Sequence, residues 1–234
     1  MPRALHVASA AGPDFLTGRS SLGSPFPRAQ LEKFAAEIAH RDGLRRRAVL
    51  RVLVQARAQP EIIDKISRPA EQVLEWWQYR QIFLTDQRID GGVAFWRAHR
   101  DSLERASAEE GVPPQYIVAI LGAETYYGRI TGSYRVLDAL STLAFDYPPR
   151  RRFFSRELEE FLVLAHREKL DPLTVKGSYA GAMGPLQFMP SAYLRYAVDG
   201  NGDGTRDLFS DWDDIFASIA RYLHDCGWQP GGPV

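Results

Sequence analysis

One glutamate interrupts an apolar helical stripe in the middle of the chain. Residues 113–128 read PPQYIVAILGAETYYG, and Ile117, Ile120 and Leu121 recur at the spacing of one helix face. Glu124 follows seven residues after Ile117, where the stripe continues. A carboxyl group placed there should be poorly solvated, and desolvation raises its pKa so that it can donate a proton near neutral pH. The alternative is a helix-end glutamate that points into water and has no catalytic role.

A glycine-rich stretch, residues 176–193 (KGSYAGAMGPLQFMPSAY), is the second candidate for chemistry. Flexible linkers are not rich in Met, Phe, Tyr and Gln, so the composition predicts an ordered loop that is packed against the rest of the protein. Its glycines would let the backbone approach a ligand closely. A tight crossing of two helices explains the same composition without any ligand, and the stretch alone does not separate the two interpretations.

An acidic loop, residues 199–214 (DGNGDGTRDLFSDWDD), matches the opening of the EF-hand pattern, with Gly204 at its sixth place. Alternating oxygen side chains and one backbone carbonyl would surround Ca²⁺; they belong to Asp199, Asn201, Asp203 and Thr205. The twelfth place holds Ser210 instead of glutamate, so the last ligand must come from the aspartates at 211, 213 and 214. We expect a structural calcium ion here. An ion-free surface turn is the alternative.

Composition limits the class of protein. The chain has 234 residues, 45% of them hydrophobic, and its 29 basic and 29 acidic residues cancel. This neutral balance gives no general attraction to nucleic acid or to an anionic membrane. Cys226 is the single cysteine, which excludes an intrachain disulfide. No apolar run is long enough for a transmembrane segment, and the N-terminus does not read as an intact signal peptide.

The elements that must position these residues are predicted to be helices, because sustained strand alternation is absent. Residues 1–27 are rich in Gly, Ser, Ala and Pro and are expected to form a disordered leader. Helices should then fill an N-terminal helical region, 28–110, with stops at Gly43 and Gly111. One of them is expected to start at Pro69 and to carry Val73, Leu74, Trp77, Ile82 and Phe83. Residues 111–234 should form a catalytic core.

Several long motifs in one order resemble the lytic murein transglycosylase B family. They are AETYYGRITGSYRVLDALSTLAFDYP at 123–148, FSRELEEFLVL at 154–164, GSYAGAMGPLQFMPSAY at 177–193, DGNGDG at 199–204 and the closing GW. The resemblance runs from about Leu31 to Trp228. It implies a mainly α fold, with a lysozyme-like helical catalytic core, a preceding helical domain and an EF-hand-like calcium loop.

The resemblance also implies a reaction on peptidoglycan glycan strands in the periplasm. Members of the family cleave the β-1,4 bond between N-acetylmuramic acid and N-acetylglucosamine and leave a 1,6-anhydro end. Glu124 occupies the catalytic position and would act first as acid and then as base. Ordinary glycosidases need a second carboxylate; Asp138 and Asp146 are the nearest candidates in sequence, and neither has a distinctive context.

Further residue roles follow from the resemblance alone. Ser178 and Gln187 would hydrogen-bond the sugars at the cleaved bond, Tyr79 would line the groove, and Asp213 would supply the last calcium ligand. Pro149 replaces an arginine of the family, and family members continue beyond the position of Val234. The chain is therefore expected to be truncated, and an inactive wall-binding module is one alternative for this reason. A muramidase that hydrolyses the same bond with water is the other alternative. We expect a monomer with no organic cofactor.

Overall fold

The computed structural model describes residues 25–67 and 75–232, and most of their regular structure is α-helical. The helices are α1 (Arg28–Asp42), α2 (Arg46–Leu53), α3 (Pro60–Ser67), α4 (Trp76–Tyr79), α5 (Asp86–Ala98), α6 (Arg100–Glu110), α7 (Pro114–Thr125), α8 (Val136–Asp146), α9 (Arg151–Arg167), α10 (Pro190–Tyr196) and α11 (Trp212–Asp225). Two short strands, β1 (Tyr134–Arg135) and β2 (Lys176–Gly177), pair antiparallel. The mainly helical prediction is confirmed.

Helix α8 lies at the centre of the molecule, and every residue from Val136 to Phe145 is buried. A helix that is apolar on all sides must be surrounded by protein. Helix α9 covers one side of it with an amphipathic face that includes Phe154, Leu158 and Phe161. Helix α3 covers another side. The glycine-rich loop and the residues after α7 are therefore built around one rigid central helix.

The N-terminal helices share this core. Ile62 of α3 is fully buried, and Phe26 contacts Phe145 at a ring-centroid distance of 5.1 Å. Phe26 falls within the predicted leader, so the ordered chain begins earlier than expected; residues 1–24 lie outside the described part. Buried side chains on both sides of residue 110 form one cluster. The division of the chain at that residue stays a prediction.

The structure describes only the later part of the helix predicted to start at Pro69. Trp77 and Ile82, which the sequence places on that helix, are 61% and 46% exposed. Helix α4 is a single turn and is followed by a 3₁₀ turn, so a helical face is not maintained long enough to bury them. Val73 and Leu74 lie outside the described residues. None of the described helices combines the length and apolar character needed to cross a membrane.

Candidate active site

Glu124 lies in the last turn of α7, at the edge of the buried face and not within it. That face consists of Ile117, Val118, Leu121, Gly122 and Thr125. Glu124 itself is exposed. The buried face is therefore rotated slightly relative to the predicted stripe, because Val118 and Thr125 also point inward. This rotation leaves Glu124 on the solvent side. The expectation of a carboxyl group within the core is wrong in this respect.

The carboxyl group of Glu124 is nevertheless partly desolvated. Solvent reaches it, but the surrounding protein raises its pKa above the usual glutamate value, and burial is the only cause. It forms no hydrogen bond or ion pair with a described residue. A solvent-accessible acid whose protonated form is favoured, and whose proton is not committed to a neighbour, is suited to general acid catalysis.

A tight left-handed turn fixes the end of α7. Tyr126 and Tyr127 have φ values of 53° and 60°, which are uncommon for residues other than glycine. The Tyr127 amide donates to Leu121 O at 2.9 Å, and its hydroxyl donates to Arg88 O at 2.7 Å. The Tyr127 ring packs against Gly122. A Cβ atom at residue 122 would lie only 2.9 Å from the ring, so the absence of a side chain there makes room for it. Tyr127 thus ties α7 to α5 and restrains the neighbouring Glu124.

The glycine-rich loop lies directly beside this turn. The buried Thr125 hydroxyl donates to Pro185 O at 2.8 Å and accepts from Gly128 N at 3.0 Å. Pro185, Leu186 and Met183 of the loop are buried. The loop is therefore ordered and packed, and residue 125 connects it to the helix that carries Glu124.

Ser178 and Gln187 both belong to this loop and are half-buried. Ser178 Oγ accepts from Ala182 N at 3.1 Å, so its hydroxyl hydrogen is free to donate. Gln187 Nε2 donates to Thr131 O at 3.1 Å and to Gly184 O at 2.9 Å. No described group donates to Gln187 Oε1. Each residue thus has a fixed orientation and one polar function left for a ligand.

Tyr79 is connected to the site through other side chains. Its ring contacts Phe83 edge-on at 5.2 Å between centroids. The Arg88 guanidinium lies 5.4 Å from the centre of the Phe83 ring and 4.9 Å from that of Tyr126. This line of contacts places Tyr79 on the same side as the turn after Glu124. A direct role for Tyr79 in binding stays a prediction.

Three aromatic residues, one of them in the glycine-rich loop, form a cluster that was not predicted from the sequence. Phe188, Tyr196 and Tyr222 come from the loop, α10 and α11, and the Tyr222 ring lies 5.5 Å from Phe188 and 5.1 Å from Tyr196. Burial is the main reason that the pKa of Tyr222 is raised, and the charge of Glu124 adds a smaller effect in the same direction. Tyr222 is thus within electrostatic reach of Glu124.

The two candidate second carboxylates have other surroundings. Asp138 is buried and accepts from Arg57 N at 2.8 Å and from Arg135 Nη2 at 2.5 Å, so it holds the chain after α2 against α8. Asp146 is exposed and forms no hydrogen bond with a described residue. Asp138 therefore has a structural role.

Replacing Asp138 by alanine should lower the free energy of unfolding by about 3 kcal/mol, because it leaves the largely buried Arg135 without its counter-ion. Urea denaturation measures this change. Asp146→Ala is the control and should stay within about 0.5 kcal/mol of the original protein. Equal stability of the two variants would contradict the structural role of Asp138.

The acidic loop has the sharp turns that its glycines predict, with φ values of 77° at Gly202 and 89° at Gly204. The side chains of Asp199, Asn201 and Asp203 accept hydrogen bonds from backbone amides of the loop. Their oxygen atoms are chemically suitable for a hard cation. In the described part of the chain, however, no group of three or more His, Cys, Asp or Glu residues is arranged to hold a metal ion.

Asp213, the predicted last ligand, is oriented differently. Its Oδ1 pairs with Arg105 Nη2 of α6 at 2.7 Å. The neighbouring Asp214 is buried and accepts from Gly200 N at 2.7 Å and from Asp207 N at 2.6 Å. Asp214 thus closes the loop, a role that the sequence did not indicate. Asp213 is therefore paired with a basic residue in this structure, and its role as a calcium ligand stays a prediction.

A helical core that presents one partly desolvated carboxyl group beside an ordered glycine-rich loop defines a lysozyme-like domain. The chain also matches the family described as "Transglycosylase SLT domain" over residues 27–234. It therefore belongs to the SLT-domain lytic transglycosylase family, and the resemblance inferred from the motifs is confirmed.

Characterised relatives share both sequence and fold. The membrane-bound lytic murein transglycosylase B of Escherichia coli (strain K12) is 42% identical over 89% of this chain, which spans only 59% of that relative. The soluble lytic transglycosylase SltB1 of Pseudomonas aeruginosa is 50% identical, with a TM-score of 0.84 over 88% of this chain and 69% of its own.

Two further structures were solved with ligands. The Escherichia coli lytic transglycosylase Slt35 in complex with calcium is 42% identical, with a TM-score of 0.80 over 89% of this chain and 65% of its own. SltB3 of Pseudomonas aeruginosa in complex with NAG-anhNAM-pentapeptide is 29% identical, with a TM-score of 0.76 over 88% of this chain and 55% of its own.

Proposed function

We propose that this domain cleaves the β-1,4 bond between N-acetylmuramic acid and N-acetylglucosamine in peptidoglycan by lytic transglycosylation. The observation that carries the proposal is the solvent-accessible Glu124 carboxyl group, whose pKa is raised and which lies beside the ordered loop of Ser178 and Gln187. The names of the related lytic transglycosylases support the same substrate.

In the proposed reaction Glu124 is the only acid and base. It donates its proton to the glycosidic oxygen as the bond from that oxygen to C1 of the muramic sugar breaks. The resulting carboxylate then accepts the proton of the C6 hydroxyl group of the same sugar, and O6 bonds to C1. Glu124 is protonated again, and the product has a 1,6-anhydro end. The complex of SltB3 with an anhydro-sugar peptide supports this product class.

The neighbouring residues position the sugar for this reaction. We assign Ser178 as a hydrogen-bond donor through its free hydroxyl hydrogen and Gln187 as an acceptor through Oε1. Tyr79 offers an aromatic face to a sugar ring. None of these side chains transfers a proton. No second carboxylate is required, because the substrate supplies its own nucleophile.

The products distinguish this reaction from hydrolysis. We expect digestion of purified sacculi, followed by mass spectrometry, to give muropeptide ends that are lighter by one water molecule than reducing ends. Ordinary reducing ends would indicate a muramidase and overturn the proposal. Binding to sacculi without any soluble fragment would indicate a wall-binding module instead.

The pH dependence of the rate should follow the pKa of Glu124. The protonated carboxyl group is the donor, so the rate is lost as the pH rises through this pKa. Since burial raises the pKa, the alkaline decline should begin above the usual glutamate value of about 4.3. Initial rates across a pH series, with circular dichroism to verify folding, measure it. A decline centred on the usual value would contradict the partial desolvation.

We propose a structural Ca²⁺ ion in the acidic loop, with Asp199, Asn201, Asp203, the Thr205 carbonyl and Asp213 as ligands. The calcium complex of Slt35 supports it. Binding would require Asp213 to release Arg105. The ion would neutralise the negative charges of the loop and cross-link its ends. It would take no part in the bond cleavage.

Chelation should therefore lower the melting temperature, because a ligand that binds only the folded state stabilises it, by about 2.7 kcal/mol at a hundredfold excess over Kd. Asp203→Ala should abolish the difference between EDTA and calcium in a thermal melt. Asp225→Ala, a change at an exposed aspartate outside the loop, should preserve it. Identical melts of the original protein in EDTA and in calcium would exclude the ion.

Because peptidoglycan is the proposed substrate, we propose that the protein acts on glycan strands in the periplasm. We further propose that it acts as a monomer. Nucleic acid is not a proposed partner, since the chain has a formal net charge of zero. The chain spans only part of the length of its relatives, so the activity of this segment on its own is part of the proposal.

A further inference from the structure

A cavity lies away from Glu124, between α2 and the C-terminal end of α9. Its volume is about 790 Å³, which is within the range of small-molecule sites. Val49 and Val52 of α2 form one wall, and Leu162 and Ala165 of α9 form the other. It shares no lining residue with the site described above. We call it the α2–α9 groove.

The edge of the α2–α9 groove is basic. Arg45, His166 and Lys169 line it, and no aspartate or glutamate does. All three are exposed, and none forms an ion pair with a described carboxylate. The lining of the groove thus has an excess of basic over acidic residues, whereas the charges of the whole chain cancel.

Two glutamates of the adjoining chain are already engaged. Glu159 of α9 is paired with Arg41, and Glu168 is paired with Arg206. Arg45 also stands immediately before α2, whose first turn has no side-chain cap. The unbonded amides of that turn add to the positive potential at this end of the groove.

We propose that the α2–α9 groove binds a single-chain anionic lipid. The acyl chain would lie between the apolar walls, and the head group would meet Arg45, Lys169 and the start of α2. A glycan strand fits less well, because no Phe, Tyr or Trp lines the groove to stack on a sugar. A cationic amphiphile is disfavoured by the charges of Arg45 and Lys169. The proposal is independent of the Glu124 reaction.

Calorimetric titration of the intact protein with myristate, below its micelle concentration, tests this proposal. We expect saturable binding of one myristate. Laurate, which is two methylene groups shorter, should bind about tenfold more weakly, because each buried methylene contributes to affinity. Tetradecyltrimethylammonium, with the same chain and the opposite charge, should bind at least tenfold more weakly. Equal affinity for the cationic amphiphile, or no binding of myristate, would overturn the proposal.

Two variants locate the binding. Ala48→Phe fills the groove from an exposed position on α2 and should abolish myristate binding without changing the melting temperature. Arg45→Gln combined with Lys169→Gln should weaken binding at least tenfold. Arg97→Gln combined with Arg152→Gln makes the same charge change at exposed arginines elsewhere and should leave the affinity within about twofold.

Vesicles separate groove binding from adhesion to a charged bilayer. The Ala48→Phe variant retains Arg45, Arg46 and Arg47, so its adhesion to phosphatidylglycerol vesicles should equal that of the original protein, whereas it should no longer bind myristate. Myristate affinity that is unchanged in this variant, or that falls equally in the Arg45/Lys169 and Arg97/Arg152 double variants, would attribute the interaction to surface charge and contradict the groove.

Discussion

Replacing Glu124 by glutamine should lower the release of soluble fragments from sacculi by roughly a thousandfold, because a single residue supplies both proton transfers. Glutamine preserves the shape of the side chain but can neither donate nor accept the proton. Glu124 forms no hydrogen bond or ion pair with a described residue, so the melting temperature should not fall. The variant should still sediment with sacculi, since the loop and the aromatic residues are unchanged.

Glu109→Gln is the matched control for this experiment. Glu109 is an exposed glutamate of α6 without an ion pair to any described residue, and its replacement should leave the rate unchanged. Activity of Glu124→Gln above about a tenth of the original rate would show that another group transfers the proton. Asp138→Asn would then be the next variant to measure.

Replacing Gly132 by alanine should lower the free energy of unfolding by roughly 3 kcal/mol. Gly132 lies just before β1 and has a φ of 98°. A Cβ atom there would lie 2.1 Å from Gly177 O and 2.5 Å from Ser178 N. Both contacts are with backbone, which cannot rotate away. The variant should also lose activity in its folded fraction, because the strain falls on the segment that carries Ser178.

Gly43→Ala separates backbone strain from the steric clash. Gly43 also has a positive φ, 71°, but no atom lies within 4 Å of its Cβ position. We expect a loss of about 1 kcal/mol, which reflects the left-handed backbone alone. Urea denaturation of the two variants measures the difference. Similar values for both would mean that the backbone at Gly177 moves aside without cost.

Much of the fold follows from local patterns in the sequence. The helix ends at Gly43 and Gly111 were predicted from the glycines, and both have left-handed φ values. The exposure of Trp77 was not predicted, because periodicity indicates a helical face but not whether a short helix has anything to cover it. The apolar stripe of α7 was nearly right, and the small rotation that exposes Glu124 depends on Val118 and Thr125 packing inward.

The site was predictable only where one segment carries it. Ser178 and Gln187 share a loop, so their proximity was visible in the sequence. Tyr222 and Glu124 are brought together by tertiary packing, and no local spacing indicates that contact. The orientation of Asp213 was missed for the same reason, since Arg105 is distant in sequence and close in space.

The hydrogen bond from Thr125 to Pro185 O has a consequence for how a substrate enters. Opening the loop would break a buried bond and leave a carbonyl group unsatisfied, which is costly. The loop and the end of α7 should therefore move as a unit, and their relative position is set before the proposed glycan substrate binds. Little conformational entropy is then lost on binding, and a strand that does not fit the existing shape is rejected without induced fit.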